Sequence, residues 1–237
     1  MSSSRETVQA NLQAVHERIA RAARVAGRDT ATIALLAVSK TFPPEAILAA
    51  HSAGQRAFGE NYVQEALDKI ERLKDLRGGL EWHFIGPVQS NKTRAIAEHF
   101  DWVQSVDRPK VAQRLSEQRP RGMPPLNVLL QVNISGEASK SGVVPGELES
   151  FARDVAALPG VRLRGLMAIP EPEADPVRQH APLAAMRGLF ERLRAQGFAL
   201  DTLSMGMSAD LEAAVLEGST MVRIGTAIFG ERERKHP

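Results

Sequence analysis

The chain of 237 residues, 43% hydrophobic and 24% charged, has the composition of an ordinary soluble globular protein and enough length for one large domain. Its 30 Lys and Arg against 28 Asp and Glu, a net charge of +2, give no basic footprint for nucleic acid. The lack of cysteine excludes disulfides, thiol nucleophiles and cysteine metal sites, and no apolar run reaches the roughly 18 residues that a membrane span needs.

Residues 5–26 read as a leading helix, because Val8, Leu12, Val15, Ile19, Ala22 and Ala23 fall on one stripe and Gly27 marks its end. This N-terminus has no apolar h-region, and Glu6 and Glu17 argue against a transit peptide, so the cytoplasm is the expected compartment. Strands are expected at 33–39, 56–59, 82–85, 102–106, 127–134, 163–169, 202–205 and 222–224. Helices are expected between them, at 44–52, 62–76, 90–99, 109–118, 145–157, 176–195 and 209–217. Asp107 is expected to cap the helix at 109–118, with Pro109 in its first turn, where a missing N–H costs nothing. Ser208 is expected to cap 209–217, with Asp210 and Glu212 in the first turn and Gly218 just past the end. The stretch 169–182 reads as a long loop.

Strands separated by helices must run parallel, since each return crossover consumes a helix. Eight such units in a chain of this length point to an α/β fold, a (β/α)8 TIM barrel with an extra N-terminal helix. The expected organisation is a single domain over 1–237 with no second domain and a short tail at 230–237. An open doubly wound sheet is the structural alternative.

In such a barrel, function collects at the C-terminal ends of the strands. Strand one ends in Ser39 and Lys40, the close of "IALLAVSKTFP". A lysine there is either a surface residue at a strand end or an amine aimed at a carbonyl; burial favours the second by disfavouring the ammonium. Loops after strands seven and eight commonly build a phosphate site. Here "SMGMS" supplies Ser204 and Ser208 around a glycine, and "IGT" supplies Gly225 and Thr226. These small residues either hold an anion or merely cap two helices. Lys40 is expected across the barrel mouth from them. Arg223 lies inside apolar strand eight, where it is either paired in the core or points into the barrel as a permanent donor. His83, within strand three, reads as a hydrogen-bonded core residue, with a base as the alternative. The six histidines show no HExxH spacing, so no metal is expected; no Walker, GxGxxG or G-x-S-x-G motif occurs.

The blocks "LLAVSKTFP", "FGENYVQE", "WHFIGPVQSNK", "VNISGEASKSG", "GLMAIP", "LSMGMSADLEAAV" and "RIGTAIFG" follow one another over nearly the whole chain. Together they resemble the pyridoxal phosphate homeostasis protein family, small relatives of the alanine racemase N-terminal domain. The resemblance implies pyridoxal 5′-phosphate (PLP) held as a Schiff base on Lys40. It implies phosphate contacts at Ser204 or Ser208, Gly225 and Thr226, and Arg223 facing the pyridine nitrogen. It places Asn61 near the cofactor and makes Met205 and Met167 apolar neighbours of the ring. It further implies a cofactor-handling role in vitamin B6 homeostasis without an established reaction.

With the sequence ending at Pro237, the second domain of the related racemases is not expected, and the sole tyrosine, Tyr62, is expected to have no route to the far face of a substrate. The leading expectation is a monomeric carrier or buffer that passes the cofactor to PLP-dependent apoenzymes, with Lys140 either a solvated loop lysine or a second amine during transfer. The alternatives are a racemase or lyase of low activity, and an aldolase-like barrel using Lys40 without cofactor, which leaves Arg223 and the anion loops without a ligand.

Overall fold

The computed structural model describes residues 2–136 and 141–231. Eight parallel strands close in sequence order: β1 (Ala34–Val38), β2 (Ala57–Glu60), β3 (Glu81–Phe84), β4 (Trp102–Val106), β5 (Leu126–Gln131), β6 (Val161–Met167), β7 (Thr202–Ser204) and β8 (Met221–Ile224). β8 pairs with β1 over Ala34 to Ala37, which closes the barrel and rules out the open sheet. The helices are α1 (Ser2–Val25), α2 (Pro44–Ser52), α3 (Val63–Arg72), α4 (Thr93–His99), α5 (Pro109–Gln118), α6 (Leu148–Ala156), α7 (Pro176–Ala195), α8 (Leu211–Leu216) and α9 (Thr226–Phe229).

Alternation along each strand sorts the side chains into two sets. Leu35, Ala37, Phe58, Trp82, Phe84, Val103, Leu203, Met205, Val222 and Ile224 face outward into the main core under the helices. Leu36, His83, Gln104, Ser204, Met221 and Arg223 occupy the intervening positions and fill the lumen, where Trp102, Leu129 and Met167 form a separate apolar cluster. The lumen is thus polar along one side. Its upper end, at the strand C-termini, carries the next inward positions, among them Lys40 after β1, Asn61 after β2, Ile85 after β3 and Gly225 after β8.

The leading stripe is confirmed: Val8, Leu12, Val15, Ile19, Ala22 and Ala23 are all buried. α1 packs on α2, α8 and α9, so it flanks the barrel wall beside the ends of β7 and β8. The helix expected at 62–76 stops at Arg72 and continues as a 3₁₀ segment, Lys74–Gly79. The strand expected at 127–134 ends at Gln131; Val132, whose N–H still bonds the Met167 carbonyl at 2.9 Å, forms only an isolated bridge with Val143.

Both expected side-chain caps are corrected. Asp107 pairs with the Arg108 guanidinium at 3.1 Å, and Arg108 is the residue at the α5 N-cap, although Pro109 does begin the helix. Ser208 lies before the start of α8; Asp210 sits at its N-cap and takes the Met207 backbone N–H at 2.7 Å. Among the described residues no helix is long and apolar enough to cross a membrane.

Candidate functional site

At the C-terminal end of the barrel a cavity of about 280 Å³ opens over Arg223. Lys40, Arg223, Asn61, Ser208, Gly225 and Thr226 line it together with an apolar wall of Val38, Ile85, Ile169, Met207 and Ala209. Its volume lies near the lower end of the roughly 300–1,000 Å³ typical of small-molecule pockets.

Lys40 owes its place to an unusual turn. Ser39 N–H still bonds the Gly59 carbonyl at 3.0 Å, so β1 is held to its neighbour up to the residue before the lysine. Thr41 then adopts φ 69°, a left-handed conformation that a β-branched residue rarely takes and that marks strain held by its surroundings. The holding groups are visible. Thr41 N–H donates to Glu65 Oε1 at 2.6 Å. Lys69 Nζ donates to that same oxygen at 2.5 Å, to Glu60 Oε1 at 2.8 Å and to the Ser39 carbonyl at 2.9 Å. Ser39 Oγ adds a bond to Glu60 Oε1 at 2.6 Å. Glu60 and Lys69 are buried; burial raises the Glu60 pKa, and Lys69 opposes that rise. An ion pair behind the strand therefore braces the two residues on either side of Lys40.

Arg223 is 4% exposed. Its Nη1 donates to Ser204 Oγ and its Nη2 to the Ala168 carbonyl, each at 2.8 Å. Both acceptors are neutral, so the core ion pair is not what the structure provides. Burial lowers the Arg223 pKa to about 10, with Asp210 opposing, which leaves the guanidinium charged at neutral pH. The residue is the inward-pointing permanent donor.

β1 and β8 are neighbours, so Lys40 and the loop after β8 abut rather than face each other across the mouth. A side chain at position 225 would press its Cβ to 3.2 Å from the Val38 carbonyl, tighter than ordinary contact; glycine leaves the backbone open to the cavity. Gly225 also begins α9, its carbonyl accepting from Ile228 and Phe229 N–H at 2.9 Å.

The sequence-derived site divides. Lys40, Asn61, Ser208, Arg223, Gly225 and Thr226 meet at the cavity. Ser204 lies a layer below, fully buried under Arg223, and does not line the cavity. Met205 faces outward into the main core, and Met167 sits deeper in the lumen; Met207 provides the methionine on the wall. Gly206 explains the exchange. Its φ of 97° and its approach to Ala214 break the alternation after Ser204, so the inward role passes to Met207. Tyr62 is 57% exposed at the start of α3. Lys140 lies outside the described residues.

Sequence reading missed the contribution of α1. Arg18 Nη2 donates to the Ser208 carbonyl at 3.0 Å, and Asn11 Nδ2 to the Ile228 carbonyl at 2.9 Å. The leading helix thus holds the loop after β7 and the short helix α9 after β8, which flank the anion side of the cavity. Nothing in the local pattern marks these two residues.

A cofactor with an aldehyde, a ring nitrogen and a phosphate finds a matching group for each: the Lys40 amine, the Arg223 donors, and the small residues Ser208, Gly225 and Thr226. Asn61 Oδ1 is buried without a protein hydrogen-bond partner, one further polar atom that a ligand can satisfy. The residues present therefore fit the group. Among the described residues no cluster of His, Asp and Glu is placed to hold a metal ion.

Residues 10–233 match the family described as alanine racemase, N-terminal domain. The pyridoxal phosphate homeostasis protein of Pseudomonas aeruginosa is 62% identical over 98% of each chain. That of Escherichia coli is 57% identical over 94% of this chain and 96% of the other. PipY of Synechococcus elongatus, solved with PLP bound, is 38% identical, with a TM-score of 0.79 over 91% of this chain and all of that one.

Proposed function

The chain belongs to the alanine racemase N-terminal domain family and, within it, to the pyridoxal phosphate homeostasis proteins, and on that premise we propose that it binds PLP through Lys40 and acts as an intracellular carrier or buffer of vitamin B6. The observation that carries the reading is the convergence of Lys40 and Arg223, from adjoining strands, on one cavity with Ser208, Gly225 and Thr226. When bound, PLP supplies an aldehyde open to amine attack and a ring that draws electrons from adjacent bonds.

This chain's residues have separable parts in that function. Lys40 provides the amine for the aldehyde. Arg223 donates towards the ring nitrogen; a guanidinium keeps its own proton, which leaves that nitrogen unprotonated and the ring a weaker electron sink. Ser208, Thr226 and the open backbone at Gly225 receive the phosphate. Val38, Ile85, Ile169 and Met207 exclude water from the ring faces.

A carrier is favoured over a racemase or lyase by what the cavity lacks. Racemisation needs a proton donor or acceptor on each face of the substrate. Among the described lining residues only Lys40 and Arg223 are ionisable, and an arginine does not give up its proton. The proposal includes a monomeric, cytoplasmic protein whose recipients are PLP-dependent apoenzymes.

Loading the protein with PLP and incubating it with several amino acids in deuterated water tests this reading. Transfer of PLP to an apoenzyme without α-proton exchange is the expected result. Sustained exchange at enzymatic rates replaces the carrier with the racemase or lyase.

A further inference from the structure

The lumen below the cavity holds a second polar structure that PLP binding as argued above does not use. Ser204 Oγ, which accepts from Arg223 Nη1, donates to Gln104 Oε1 at 2.6 Å. Gln104 Nε2 meets His83 Nδ1 at 2.9 Å, and His83 Nε2 meets Glu81 Oε1 at 2.8 Å. Ser204, Gln104 and His83 are essentially inaccessible to solvent, whereas the Glu81 side chain is 47% exposed at the opposite, N-terminal end of the barrel. An unbroken hydrogen-bonded chain therefore crosses the lumen from the cavity floor to the far mouth, using β8, β7, β4 and β3.

Its polarity is fixed from the far end. The hydrogen bond from His83, with burial opposing, holds the Glu81 carboxyl below the ordinary range, so at neutral pH it only accepts. His83 Nε2 must then carry a hydrogen, and Nδ1, faced by the Gln104 amide nitrogen at 2.9 Å, is assigned as the acceptor. Gln104 turns its amide NH₂ towards that nitrogen and presents Oε1 to Ser204. The serine proton is thereby committed to Gln104, and an oxygen lone pair faces Arg223. Every donor points the same way, from Arg223 to Glu81. The His83 ring has little freedom to depart from this arrangement: it stacks on Trp102 at 5.2 Å with planes 8° apart, and Arg164 covers that indole at 4.7 Å.

We propose that Gln104, His83 and Glu81 are positioning residues for Arg223: their chain orients the Ser204 hydroxyl so that it fixes the guanidinium which, on the reading given above, meets the PLP ring nitrogen. Neutral core residues would not need this. An apolar lumen would leave Arg223 with the Ala168 carbonyl alone and free to swing about it. A satisfied network is costly to break at one member and specifies a single arrangement when whole.

Two measurements test the chain. In the unloaded protein, ¹⁵N shifts of His83 are expected to show Nε2 protonated and Nδ1 bare; a Nδ1-protonated neutral ring overturns the assignment, whether or not PLP binds. In PLP titrations, Gln104→Leu is expected to weaken binding about tenfold and shift the visible band in the wild-type background. The same substitution is expected to cost nothing further beside Arg223→Leu, since it acts through Arg223. Equal losses in both backgrounds, with an unshifted band, mean that Gln104 is merely structural and overturn the proposal. Failure of the wild-type protein to bind PLP counts instead against the proposed function, and the ¹⁵N result still decides the chain.

Discussion

Lys69 Nζ lies 2.9 Å from the carbonyl oxygen of Ser39, the residue that precedes Lys40, and 2.8 Å from the buried carboxylate of Glu60. The amine of α3 thus reaches the tip of β1 from outside the barrel while neutralising a charge that β2 buries. Removing one partner of such a pair leaves the other charge uncompensated in the core.

Lys69→Met is accordingly expected to destabilise the protein by about 3–5 kcal/mol. Glu60→Gln together with Lys69→Met, which removes both charges, is expected to recover part of that loss. Urea unfolding of the three proteins checks this; a single mutant as stable as the wild type would show that the pair does not hold the β1 tip.

The two glycines of the anion loops are expected to behave differently. Gly206 has φ 97° and a Cβ there would meet the Ala214 Cβ at 2.5 Å, so Gly206→Ala strains the backbone and overpacks α8. A loss of about 2–4 kcal/mol in stability is expected. Gly225 has φ −116°, which any residue adopts, and a Cβ there reaches 3.2 Å from the Val38 carbonyl. Gly225→Ala is expected to keep stability within about 1 kcal/mol while weakening PLP binding at least about tenfold. Thermal melts and PLP titrations of both variants separate the effects.

Arg18 and Glu212 give a pH dependence of definite sign. The Arg18 hydrogen bond, with burial opposing, lowers the Glu212 pKa in the folded state. A depressed acid contributes stability that is present above its unfolded pKa and is lost as pH falls through the folded one. The pair is partly exposed, Arg18 at 27% and Glu212 at 50%, so solvent screens it and the contribution is small, about 0.5 kcal/mol. Arg18→Ala is expected to cost this much at neutral pH and less at about pH 3, where Glu212 is protonated. A penalty that grows on acidification contradicts the pairing. The parallel loss of the bond to the Ser208 carbonyl is expected to speed PLP release at neutral pH.

What the sequence made legible follows from alternation and spacing. The stripe on α1, the parallel strands and the inward positions Lys40 and Arg223 are repeated patterns that a single chain displays. Met205 faces outward by ordinary alternation beside inward Ser204; the inward turn of Met207 was not legible, because one glycine with positive φ resets the alternation at the end of β7. Caps failed for a similar reason. Asp107 and Ser208 have suitable side chains, but a neighbouring guanidinium and the turn before α8 take their places. The lumen chain is not legible in the sequence because its members, Arg223, Ser204, Gln104, His83 and Glu81, lie on four strands up to 142 positions apart. His83 was recognisable as a hydrogen-bonded core residue, yet its partners were not.

Lys40 as the amine that takes the PLP aldehyde can be tested directly. The protein is incubated with PLP, reduced with borohydride to lock any amine linkage, digested and analysed by mass spectrometry. The phosphopyridoxyl group is expected on Lys40 in the wild-type protein, with loss of the visible band in Lys40→Ala. Labelling confined to other lysines, or a visible band unchanged in Lys40→Ala, would contradict it.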